Sequence, residues 1–313
     1  MNSFKNQKYD FRNVVFDELI EIREKKKNLF ILTADISAYS LESFKDKFKK
    51  NFFNLGITEQ GMISIACGMA MTKKKVFAFS MIPFLIMRAF EHIKVDISST
   101  NFPITLIGLG SGLSFDTDGP SAQATTDISL VRTLPNFLIF NPSDPVTASY
   151  IANKAYESKN PVYIRLDKSQ QFPLYKNTKG FRDGFVHTKS KAKICIISTG
   201  IMVHKAFEVK KELSNKINIG VIDIFCLKPI NEKKLLKAIL SYDNFIILDE
   251  NTIRGGLVSI ILELFGKFNI SKKIKSFALP DEHCFNYGKR EWLHTKYKID
   301  NNSIIEYIKK FFC

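Results

Sequence analysis

Short runs of continuous apolar sequence alternate with segments of helical spacing along this chain. The runs read "NLFILTADI", "KVFAFSMI", "PITLIGLG", "FLIFNP" and "PVYIRLD", then "AKICIISTG", "INIGVIDIF", "NFIILDE" and "IKSFALP". A run that is apolar at every residue belongs to a strand buried on both faces, and helices between such runs supply the cover. The pattern predicts an α/β fold with mostly parallel sheets flanked by helices. Phe11, Val14, Val15, Leu19 and Ile20 recur at helical spacing in the first helix. Further helices are expected at 60–71, at 84–98, from Thr126, and in "SDPVTASYIANKAYES" with Ser143 or Asp144 as cap. A second series places helices at 201–214, 231–240 and 255–267, and "NNSIIEYIKKFF" ends the chain as a helix. Between the series, polar sequence loses its periodicity. With 313 residues there is length for two domains. The expected organisation is a domain at 1–172, a linker at 173–190 and a domain at 191–313.

Several function classes are disfavoured at once. The longest apolar region, residues 81–87, is too short to span a bilayer. "MNSFKNQKYDFRN" lacks the apolar core of a secretory signal, so a cytoplasmic protein without membrane contact is expected. The five cysteines (Cys67, Cys195, Cys226, Cys284, Cys313) form no CxxC pair and read as free thiols. The histidines show no metal-ligand spacing. A net charge of +15 raises the possibility of a nucleic-acid binder, but the lysines are scattered in short runs and no nucleic-acid motif accompanies them. Solvated faces that attract anionic substrates or an acidic partner fit better.

The stretch "FFNLGITEQG", Phe52 to Gly61, poses the functional question. Thr58 can cap the following helix, with Glu59 favouring its positive end. Alternatively, Glu59 is a carboxyl set in an apolar site for chemistry, among Phe52, Phe53, Leu55 and Ile57, with Gly56 allowing close backbone approach.

"FFNLGITEQGMISIACGMA" resembles the glutamate loop and following helix of the pyrimidine-binding domain of transketolase-like, thiamine-diphosphate-dependent enzymes. "FDTDGPSAQATTDISLVRTLPN" is similar to the family's DG-P-T-H-Q loop, and "DIFCLKPINE", "LDENTIRGG" and "ALPD" resemble its C-terminal domain in order and spacing. The Gly-Asp-Gly motif of the diphosphate-binding domain is missing. The resemblance therefore implies the second half of a split transketolase, with thiamine diphosphate shared with a separate N-terminal subunit that holds Mg2+, in an α2β2 assembly. No metal ligand is assigned to this chain.

The resemblance implies that Glu59 hydrogen-bonds the aminopyrimidine ring and controls a proton there. Phe84 is the ring-stacking candidate, with Met81 and Ile82 nearby and Gly56 and Ile57 in the loop. A core role for Phe84, one of 28 phenylalanines, is the competing reading. Arg88 and Glu91 read as structural or interface residues, and His283 and Tyr287 as interface candidates. Asp118, Ser121, Gln123, Arg165 and Lys168 are the substrate candidates, Lys168 meeting a phosphate as a point charge. Ala122 stands where the family carries a histidine, and alanine can neither donate a hydrogen bond nor move a proton. The implied reaction is transfer of a two-carbon ketol unit between sugars, with a non-standard carbohydrate substrate. The alternative is the β subunit of a 2-oxo acid dehydrogenase, or a thiamine-dependent synthase with a 2-oxo acid donor.

Overall fold

A computed structural model describes residues 4–312. The apolar runs form two sheets. The first has seven strands in the order Cys226–Lys228, Leu138–Phe140, Val162–Leu166, Thr105–Leu109, Lys75–Met81, Leu29–Thr33, Phe52–Asn54. Six of these pair parallel, as their all-apolar patterns require. The seventh, Cys226–Lys228, comes from the second half of the chain and pairs antiparallel, Cys226 opposite Phe140. The second sheet has five strands in the order Lys273–Leu279, Asn244–Thr252, Ile194–Ser198, Ile219–Ile224, Phe185–Thr188, of which only the last pairs antiparallel. No described helix is long and apolar enough to cross a membrane.

The segment expected as a linker is partly structured. Phe181 is buried and packs edge-on to Tyr150 and Tyr175, while Phe185–Thr188 joins the second sheet. The alternation "FVHT" is too short for period alone to reveal it. The expected helix at 84–98 is a widened one, with π turns at Pro83–Arg88 and Ile93–Ser98 around a short α turn at Phe90–His92. Three elements carried no recognised signal: the helix Tyr39–Lys47, the strand Phe52–Asn54 and the helix Arg290–Lys296.

Capping follows local chemistry. Asp144 caps the helix Pro145–Glu157 through the Thr147 N–H, with Thr147 returning the bond to the Asp144 N–H. Asn231 caps Glu232–Ile239. Ser143, the other candidate cap, instead donates to Asp223 on the second sheet at 2.5 Å. Tyr175 donates to the same carboxylate oxygen at 2.8 Å, and the other oxygen, Oδ1, has no hydrogen-bond partner among the described residues.

Asp223 therefore sits, fully buried, where the two halves meet. Burial pushes its carboxyl up to about 7, with the Ser143 and Tyr175 hydrogen bonds opposing only part of that effect and Asp144 adding to it. A raised carboxyl stabilises the fold fully below its unfolded value near 3.8 and loses that contribution as pH rises through about 7. Asp223→Asn should remove this dependence. From about pH 5 to about pH 8 the wild-type melting temperature should fall more than that of the variant. Parallel melting curves for the two proteins across that range would count against this assignment.

Candidate active site

The helix Glu59–Met71 begins at the carboxyl edge of the first sheet, just beyond Phe52–Asn54. Thr58 occupies the cap position but makes no side-chain capping bond, so the capping reading of this stretch fails on geometry. Glu59, at 1% exposure, is turned inward. One of its oxygens accepts from Ser80 Oγ at 3.2 Å, and the other accepts from Arg88 Nη1 at 2.9 Å. Arg88 stacks its guanidinium over the Phe84 ring, 4.5 Å from the centroid. Its side chain keeps 44% of its surface, so the ion pair is reachable from solvent. Charge-assisted bonding compensates the buried carboxylate. Arg88, read from sequence as structural, is thus the direct partner of Glu59. Its place four residues after Phe84 is the signal that could have found it.

Phe84 and Met81 are half-buried beside this carboxyl and Ile82 is fully buried, giving an apolar wall with one partly open face. The loop residues differ from expectation. Ile57 is 73% exposed and Phe53 is also exposed, so they do not enclose Glu59 within this chain. Gly56 has φ +73, and a methyl group there would meet nothing within 4 Å. It is needed for its backbone conformation, not for close approach within the chain.

The loop after Thr105–Leu109 carries the other candidates. Asp118 and Ser121 are exposed, and Gly119 turns the chain at φ +77. The Gly119 carbonyl accepts from the N–H groups of Ala122 and Gln123. Ala122 is buried, and the Gln123 side-chain nitrogen is buried without a partner among the described residues. Lys168 is exposed and places its ammonium 4.8 Å from the centroid of the Phe115 ring, on the same loop. Arg165 does not reach this surface. It lies inside the sheet, donating to Asp127 at 2.8 Å and to the Ala124 carbonyl at 2.9 Å. An arginine in mid-strand is held by whatever acid lies beneath the sheet, and here that acid is Asp127.

A charged cluster escaped the sequence reading. Arg290 reaches back from the C-terminal segment between two buried acids, Asp167 of the first domain and Glu250 of the second. Its nitrogens donate to Asp167 at 2.8 and 2.9 Å and to Glu250 at 2.6 Å, with a further bond to the second Glu250 oxygen. His294 also bonds Glu250. Burial alone would raise both acids, but Arg290 outweighs it. Asp167 is held well below the usual carboxylate range, and Glu250 down to about 2. The Arg290 backbone N–H also donates to Asp116, tying this segment to the loop that carries Asp118.

Comparison with known proteins places both halves of the chain in one family. The pyrimidine-binding domain of transketolase matches residues 7–172, and the transketolase C-terminal domain matches residues 185–304. The chain belongs to the transketolase family. It is 30% identical to a putative transketolase C-terminal section from Methanocaldococcus jannaschii, over 93% of both chains. It is 28% identical to one subunit of the apulose-4-phosphate transketolase from Actinobacillus succinogenes, covering 94% of this chain and 96% of the relative. A 1-deoxy-D-xylulose-5-phosphate synthase from Clostridium tetani is 30% identical over 93% of this chain, which spans only 47% of that relative's length. Among solved structures, a split-gene transketolase described as an inactive β4 tetramer superposes with a TM-score of 0.87 at 28% identity, covering 96% of this chain and 97% of that one.

Proposed function

We propose that the chain is the pyrimidine-binding subunit of a split, thiamine-diphosphate-dependent transketolase that moves a two-carbon ketol unit between sugars. The observation that carries this reading is the buried Glu59 carboxyl at the sheet edge, bonded to Ser80 and to a half-exposed Arg88, beside an apolar wall. Such a site fits a flat heteroaromatic ring with a basic nitrogen. When bound, thiamine diphosphate supplies a carbon nucleophile for a ketose carbonyl. Glu59 would hold a proton shared with the ring nitrogen, and displacement of Arg88 would free one of its oxygens for that bond. Phe84, Met81 and Ile82 would orient the ring and exclude water on one side. Asp118 would accept a sugar hydroxyl, with Ser121 and Gln123 beside it, and Lys168 would attract a phosphate.

The exposed Ile57 and Phe53 fit a site closed by another subunit, the one that carries Mg2+ and the diphosphate, in an α2β2 assembly. Relatives that are themselves a single transketolase subunit or a C-terminal section support a separate partner. Ala122 removes a hydrogen-bond donor from the substrate loop, which favours a carbohydrate outside the usual set. The synthase relative favours a second reading, a 2-oxo acid donor with an aldehyde acceptor.

One experiment separates them. The chain is purified with its candidate diphosphate-binding partner and assayed with thiamine diphosphate, Mg2+ and a panel of ketose phosphates and 2-oxo acids. Ketol transfer by the pair, and none by either chain alone, is expected. Turnover by this chain alone would overturn the split reading, and turnover of 2-oxo acids in place of ketoses would establish the synthase.

A further inference from the structure

Beyond the strand Lys273–Leu279 the chain leaves the second sheet as "EHCFNYGKREW", and three of its aromatic side chains face outward: Phe285, Tyr287 and Trp292. Large aromatic side chains clustered on a surface usually mark a recognition site. This segment is fixed firmly. Cys284 is buried at one end, and Arg290 is locked between Asp167 and Glu250 at the other. The Arg290 N–H donates to Asp116 at 2.8 Å, which sets the segment against the loop carrying Asp118.

The contact with that loop is close. A methyl group on Gly119 would lie 2.8 Å from Tyr287 Cε1 and 2.9 Å from its hydroxyl oxygen. The phenol therefore rests on the backbone beside Asp118, yet Tyr287 remains 63% exposed. Among the described residues its hydroxyl has no hydrogen-bond partner. In the same loop the Gln123 amide nitrogen is buried, also without a partner. The loop where Ala122 offers no polar group thus has one buried, unpartnered donor on Gln123 and an exposed phenol hydroxyl against its backbone.

We propose that Tyr287, from the second domain, forms a specificity wall of the substrate site: its ring packs against the carbon face of a sugar, and its hydroxyl bonds a sugar hydroxyl. Aromatic faces suit the C–H surface of a carbohydrate, and a phenol both donates and accepts. Asp118 offers an acceptor and Lys168 a cation at the same loop, so the ligand class is a polyhydroxylated ketose phosphate. This inference rests on the ketol-transfer reading above.

Trp292 is the only tryptophan of the chain, and it packs against Gly288, the residue after Tyr287. Labelling this chain with 5-fluorotryptophan puts a single fluorine beside the proposed wall. In the complex with the diphosphate-binding subunit, adding D-xylulose 5-phosphate or D-fructose 6-phosphate should shift that resonance. Tyr287→Ala should weaken the dissociation constant and KM about tenfold, and Tyr287→Phe about threefold, with kcat little changed. No shift in the wild-type complex, or unchanged affinity in Tyr287→Ala, would overturn the proposal. So would loss of complex assembly in place of substrate affinity, which would assign the ring to the subunit interface. The fluorine titration does not depend on turnover. A preserved response in a complex that transfers no ketol unit would support the wall and count against the reaction.

Discussion

Glu59→Gln should abolish ketol transfer by the assembled complex, lowering kcat by about 10³-fold. Glutamine keeps the length and shape of the side chain, and its carbonyl oxygen can still accept from Ser80 or Arg88. Its amide neither gains nor loses a proton in the working range, so no proton can pass between this side chain and a ring nitrogen. Glutamine gives up the ion pair with the half-exposed Arg88 but can keep neutral hydrogen bonds to Ser80 and Arg88, so the helix Glu59–Met71 should stay in place. The variant should therefore show an unchanged circular dichroism spectrum and assemble with its partner normally. Turnover within about tenfold of wild type would remove Glu59 from the chemistry.

The largest effect on stability should come from Arg290→Met. Methionine retains bulk but withdraws the charge from Asp167 and Glu250, which are both almost fully buried. Two buried carboxylates would then lose the cation between them, with His294 and the serine hydroxyls among the groups left to bond them. Breaking a buried pair in this way costs about 3–5 kcal/mol, so the melting temperature near neutral pH should drop by roughly 5–8 °C. The sign of the pH dependence should also invert. In the wild type both acids are held below their unfolded values, so their stabilisation is present above about pH 4 and is lost as pH falls through the folded values. In the variant, protonation relieves the uncompensated charge, and the deficit should shrink toward pH 5. A melting temperature within about 2 °C of wild type would show that the cluster is not what joins the halves.

The two sheets were legible because burial on both faces leaves an unbroken apolar run, as in "KVFAFSMI" and "NFIILDE". Glu59 could be singled out only through the family resemblance of "FFNLGITEQG", since a Thr-Glu at a helix start is on its own no more than a cap. Its immediate partners were not. Ser80 and Arg88 lie on a different strand and a widened helix, and only the fold brings them to one point. Arg165 misled for a related reason: its neighbour Lys168 lies on the surface, but the strand buries every residue from Val162 to Leu166. Charge in a strand says that a partner exists, not which side of the sheet it is on. The Asp167–Arg290–Glu250 cluster spans 123 positions between Asp167 and Arg290, and nothing local to any member announces it. Within 173–190 the strand Phe185–Thr188 was not legible, because it is defined by its partner Ile219–Ile224 and not by its own pattern.

Cys226–Lys228 has a further consequence. Among the described residues it is the only strand that crosses from one half of the chain into the sheet of the other. Without it, Leu138–Phe140 would present unpaired N–H and C=O groups along an apolar margin, a ready template for a neighbouring molecule. The second domain is thus the first domain's guard against self-polymerisation. Excising the first domain at its apparent sequence boundary would yield a sticky fragment, and the smallest unit that behaves as a well-mannered solute is the pair.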